Sequence, residues 1–169
     1  RTLDQVRIDR TMPTTIVTGV AASTWEAFLF YLYTGVIVFA PLTSAGEEAR
    51  KAFKARYRSR NPHRPVPCSC KSIYRLAHQL DMADLEDLAL KEIDSQLSVR
   101  NIVTEIFTKF TSRYDRVKAV EMHFLKQHWD EIKGSRQVAE MLMKVTSGRY
   151  PHTAPILTEI WQSVSIAGA

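Results

Sequence analysis

WEAFLFYLYTG, from Trp25 to Gly35, is the stretch on which the reading of the chain turns. Ser23 precedes it and Glu26 follows three residues later, the S-x-x-E spacing of a capping box at a helix start. Trp25, Phe28, Leu29 and Leu32 recur at helical spacing and form the expected core face. Gly35 fits the position just past a helix end, where a left-handed backbone is easiest for glycine. The spacing therefore predicts a helix of about three turns. Its other side is not polar, because it carries Phe30, Tyr31 and Tyr33. A helix that is apolar all round is covered on more than one side. Phe30, Tyr31 and Tyr33 are therefore candidate partner-binding residues, open between core filling and a partner surface.

Outward from this helix, IVTGV (Ile16 to Val20) reads as a short strand before it. VIVFA (Val36 to Ala40), β-branched and aromatic and ended by Pro41, reads as a strand after it. Residues 43–67 lack an apolar period and hold Pro62, Pro65 and Pro67. They are expected to form a long, exposed, basic, Pro-rich loop, with room for a helical turn from Glu47 to Tyr57. From Ser69 onward the pattern is helical. Ile73, Leu76, Ala77 and Leu80 make one stripe, and Leu85, Leu88, Ala89 and Ile93 the next, with Asp81 as its expected cap. Ser98 is expected to cap a third helix reaching Phe110. A longer one runs from Val117 to Ile132, stopped by Gly134, and Ser135 opens another. Pro155 suits the first turn of a last helix. Short links between helices imply antiparallel pairs. The expected fold class is α+β, mainly α-helical, with short strands plus helices followed by an antiparallel helical extension.

The chain carries +5 overall, but Arg50, Lys51, Lys54, Arg56, Arg58, Arg60 and Arg64 form a basic patch with no acid among them. Without those seven the remainder stands at −2, so the basic character belongs to one segment. That segment reads as a solvated loop, as a nuclear-localisation or acidic-partner patch, or as a nucleic-acid contact in which Phe53 and Tyr57 stack on bases. No recognised nucleic-acid-binding motif accompanies it, and nucleic acid is not the expected partner. No apolar run approaches the roughly 18 residues of a membrane span. The opening RTLDQVRIDR has no apolar core behind it, so a secretory signal is not expected. The first residue is Arg1 rather than Met, which suggests a piece of a longer chain. Two cysteines, Cys68 and Cys70, are too close for an easy structural disulfide, and no N-x-S/T acceptor occurs. Both points favour an intracellular location, in nucleus or cytoplasm.

Catalytic signatures are missing. There is no G-x-S-x-G, H-E-x-x-H, G-x-x-x-x-G-K-[ST] or G-x-G-x-x-G, and six glycines leave little material for a phosphate-cradling loop. No enzyme activity and no cofactor are expected. Cys68 and Cys70 could supply two soft metal ligands, but His63 is the only neighbour that could join them and no second pair is evident, so no metal site is expected. His78, His123 and His128 form no i,i+3 or i,i+4 pair and read as structural or surface histidines.

The order of elements resembles the later part of a BTB/POZ domain. Tyr33, Thr34 and Gly35 match the Y-T-G that ends a helix in that family. Leu76, Ala77, Leu80, Asp81, Met82 and Leu85, within LAHQLDMADLEDLAL, match its following L-A-x-x-[YL]-[DQ]-[ML]-x-x-L pattern. The likeness covers about residues 14–97, read as a partial BTB/POZ domain within 1–97, and residues 98–169 look like a BACK-like helical extension. FAPLTS and the basic insertion look like fungal-type, speckle-type-like BTB proteins. The resemblance implies a protein-interaction module, of which one form is a substrate adaptor that joins a recruited substrate to a cullin in a ubiquitin ligase, with Trp25 to Tyr33 facing the cullin. A complete BTB domain would also homodimerise through elements that precede the matched part. The alternatives are a nuclear or transcription-associated regulator using the basic segment, or an incomplete, non-functional fragment.

Overall fold

A computed structural model describes residues 18–148 and 150–166. Among these the protein is mainly helical, with two short strands, an α+β fold dominated by α. The elements in order are α1 (Ala22–Thr34), β1 (Phe39–Ala40), α2 (Glu47–Arg60), β2 (Cys68–Ser69), α3 (Cys70–Gln79) and α4 (Ala83–Ser95). They continue as α5 (Ile102–Ile106), α6 (Asp115–Gln127), α7 (Trp129–Ile132), α8 (Arg136–Thr146) and α9 (Ala154–Ile166). The chain divides into two compact units, Arg1–Ala89 and Leu90–Ala169, upstream of the boundary at Leu97 expected from the sequence.

In the first unit β1 pairs in parallel with β2, Phe39 opposite Cys68 and Ala40 opposite Ser69. α1 packs on β2 and α3, and α2 packs on β1. The strand expected over Val36 to Ala40 is thus reduced to its last two residues, and its partner lies where a helix start was expected. Strands of two residues show no alternation that a sequence pattern could register. Of the strand expected at Ile16 to Val20, Ile16 and Val17 lie outside the described residues, and Thr18 to Val20 are irregular.

The segment 43–67 is not a loop. A 3-10 turn at Thr43–Ala45 leads into α2, a helix of 14 residues. Ala49, Ala52 and Ala55 are strong helix formers. Glu47 and Glu48 sit in the first turn and Arg58 and Arg60 in the last, each sign complementing the helix dipole. None of its residues is buried, so it needs no apolar period, which is why periodicity does not reveal it. Only 61–67, with its three prolines, remains as connection.

The caps also differ from expectation at several places. Ala21 rather than Ser23 precedes α1, and no side chain caps it. Asp81 takes a left-handed backbone, φ 53°, in the turn before α4, and so turns the chain rather than capping the helix. Asn101 rather than Ser98 precedes α5; its Oδ1 accepts the Ser98 N–H at 2.8 Å and its Nδ2 donates to the Gln96 carbonyl at 2.9 Å. The expected long helix breaks at His128 into α6 and α7. Ser135 does cap α8, accepting the Val138 N–H at 3.3 Å, and Pro155 lies in the first turn of α9.

The second unit buries Ile102, Val103, Ile106, Met122, Leu125, Ile132, Ile156 and Ile160 in one cluster. Within it Glu121 is fully buried, and its Oε2 accepts the Thr111 hydroxyl at 2.8 Å. Lys118 on α6 lies 3.7 Å from Glu159 on α9 and 3.4 Å from Asp115.

Gly35 ends α1 with φ 68° and donates its N–H to the Tyr31 carbonyl at 2.7 Å. Nothing lies within 4 Å of where its Cβ would stand. The cost of Gly35→Ala is therefore conformational, about 1 kcal/mol. Gly134 has equal space and no positive φ, so Gly134→Ala should leave stability unchanged or raise it. Urea unfolding of the two variants checks both signs.

Candidate interaction surface

α1 turns Thr24, Ala27 and Phe28 inward, toward β2 and α3. Thr24 and Ala27 are small, and small residues let helix and neighbours approach closely. Phe28 is the one large residue of α1 that is buried. Leu32 is 51% exposed, Tyr33 88%, Leu29 37% and Val36 39%, with Trp25 half-buried against the Phe28 ring at 5.2 Å. Residues 25, 29, 32 and 33 fall on one helical face and form an outer apolar stripe about 12 Å long. Leu29 and Leu32, expected in the core, thus belong to the surface. Their spacing to Trp25 and Tyr33 carried that signal, but large apolar residues invite a core reading over Thr24 and Ala27.

The three candidate partner residues do not share one surface. Phe30 is half-buried beside Ala27, Val36 to Val38, Tyr57 and Pro65. Tyr31 is half-buried in a shallow recess with Asp81, Met82 and Asp84 at the start of α4. Tyr33 alone points fully outward.

The basic patch lies on α2, apart from Arg64 in the connection that follows. Lys51, Arg56, Arg58 and Arg60 are exposed, and Lys51 pairs with Glu48 at 3.1 Å. Arg50, Lys54, Tyr57 and Asn61 are half-buried at spacings of one helical face. Burial, then the neighbouring Arg50 charge, pulls the Lys54 ammonium below its ordinary range. Cys68 is buried, with its Sγ 3.7 Å from the Val38 carbonyl. Burial pushes its thiol from an ordinary 9.0 up to about 12, against the opposing pull of its backbone, Lys54 and Arg50. Such a thiol stays protonated and is a poor metal ligand. Cys70 is also buried and forms no disulfide. His63 is exposed in the connection after α2. His78 Nδ1 stands 3.4 Å from Glu86 Oε2 and His128 Nδ1 3.4 Å from Glu131 Oε1. Among the described residues no three His, Cys, Asp or Glu side chains are grouped to hold a metal ion, and no helix is long and apolar enough to cross a membrane.

No protein-family model matches the chain, and neither does any curated protein or any solved structure.

The Cys68 shift has a pH consequence. Between about pH 9 and about pH 12 the unfolded thiol has lost a proton that the folded one retains. Its contribution to stability is full below about pH 9 and declines as pH rises toward 12. In urea unfolding, the stability difference between the wild type and Cys68→Ala should shrink over that window. A constant difference would show that the thiol is not held protonated.

Proposed function

We propose that this chain is a protein-interaction module of the BTB/POZ kind and that its docking surface is the outer stripe of α1. The observation that carries the reading is the row Leu29, Leu32 and Tyr33, exposed together on one helical face that ends in the Y-T-G of Tyr33 to Gly35. A contiguous apolar row flanked by an aromatic with a polar tip is how a helix presents itself to a partner groove. The specific form is a substrate adaptor that meets a cullin through this face. Tyr33 is its anchor, because it combines the greatest exposure in the row with a large amphipathic ring. Phe30 supports the helix from the inner side.

Calorimetry of the purified chain against a cullin N-terminal domain tests the adaptor form. Tyr33→Ala and Leu32→Asp should each weaken binding by about tenfold or more, as loss of an interface anchor does. Neither should shift the unfolding midpoint appreciably, since both side chains face solvent. Binding that is absent, or unchanged by both substitutions, sinks the adaptor reading.

A second reading rests on α2. Exposed Arg56, Arg58 and Arg60 follow one another on a helix that buries none of its residues, so their charge is directed outward. This suits an acidic partner held by a nuclear or transcription-associated regulator. Its affinity for an acidic peptide should fall steeply as salt rises. Reversing Arg56, Arg58 and Arg60 to Glu should abolish it, and a salt-independent affinity would contradict it.

A further inference from the structure

The second unit contains a cavity of about 260 Å³ that the α1 surface does not involve. Ile106 of α5, Phe107 just after it, Trp129 of α7, and Ile160 and Trp161 of α9 contribute to its walls. Lys133, just past α7, is the one ionisable side chain of the lining, and the remainder are Val and Leu. Water has almost no polar partner in such a space, so an apolar cavity stays dry or takes an apolar guest. A second observation points the same way. α8 carries Val138, Met141, Leu142 and Val145 on its inner side, yet none of its 11 residues is buried. Val138 and Leu142 line the cavity, so α8 rests over open space.

We propose that this unit binds a medium-chain fatty acid, with the alkyl chain in the cavity and the carboxylate on Lys133. Size sets the chain length. A dry cavity of about 150 Å³ holds one benzene, so this one has room for about ten carbons. Charge sets the head group. The Lys133 ammonium donates to Asp130 Oδ1 at 2.6 Å, but the Asp130 side chain is 90% exposed, and so wet a pair is easily exchanged. A ligand carboxylate at the cavity mouth competes with Asp130 for the same ammonium. Trp161, 75% exposed, stands at the rim as the part of the wall that the guest would cover.

Titration of the full chain with decanoate and with decanol, read by calorimetry, tests the proposal. Saturable one-to-one binding is expected. Decanoate should bind about tenfold more tightly than decanol, the worth of one charge-assisted hydrogen bond at a half-exposed site. Lys133→Met should remove that preference while leaving decanol binding intact. Leu142→Trp, at a position open enough to accept the larger ring, should fill the cavity and abolish both. Circular dichroism on each variant separates loss of binding from loss of fold. No saturation with either compound, or a decanoate preference that survives Lys133→Met in a folded protein, overturns the proposal.

Discussion

The parallel pairing of Phe39–Ala40 with Cys68–Ser69 is small, but the first unit depends on it. It fastens both ends of the excursion that carries α2. Ala40 and Cys68 are each about 1% exposed, so the ladder lies in the core rather than at an edge. α3 begins on the very next residue, with the Ser69 hydroxyl accepting the Ser72 N–H at 3.4 Å. α1 packs on β2 as well, so the same two residues fix the helix that presents the apolar stripe. Breaking the ladder would release α2 and let α1 rotate. This gives the buried Cys68 its role: a neutral side chain that fills the ladder at a point where a charge would be costly.

Much of this was legible in the sequence, but unevenly. Long amphipathic segments were clear: of the stripe Ile73, Leu76, Ala77 and Leu80 the first three are buried, while Leu80, just past the end of α3, is exposed. Gly35 and Ser135 announced a helix end and a helix start through chemistry that acts within a few residues. What escaped was whatever lacks a period or depends on distant partners. α2 buries nothing and so leaves no apolar rhythm. β1 and β2 are too short to alternate. The choice among Ser98, Asn101 and Asp81 as turn or cap residues is settled by which carbonyls the fold leaves free. In the functional surface, Tyr33 was identifiable and Leu29 and Leu32 were not, because the tight seat of Thr24 and Ala27 is a tertiary fact. The cavity was invisible for the same reason: its walls come from residues as far apart as Val103 and Trp161.

The two units use apolar surface in different ways. In the first, Thr24, Ala27 and Phe28 take the inner face of α1 while Leu29, Leu32 and Tyr33 lie outward, and the result is a convex row of the kind that enters a partner's groove. In the second, helices α5 to α9 enclose more volume than their side chains fill, and the result is a concave space that accepts a guest. Convex and concave apolar surfaces select different ligands. The row on α1 offers a partner a broad face with a hydroxyl at its edge, whereas the cavity offers a narrow dry space with one cation.

α2 raises a different question, namely what holds a helix in place when none of its residues is buried. Its inner row is Arg50, Lys54, Tyr57 and Asn61, of which two are cations. The thiol nearest in charge terms, Cys68, stays neutral and supplies them no counter-charge. The attachment must therefore come from the aliphatic stems of Arg50 and Lys54 and from the Tyr57 ring, which lies beside Phe30, Val36 to Val38 and Pro65. Long basic side chains cover apolar surface with their stems and keep their charge toward water. The lowered Lys54 shows the strain of that compromise, since its ammonium is partly withdrawn from water beside a second cation. An anion brought to this row would relieve that repulsion, and the exposed Arg56, Arg58 and Arg60 would draw it in. A helix so attached is bound to its unit by few apolar contacts and leaves Arg56, Arg58 and Arg60 exposed to solvent.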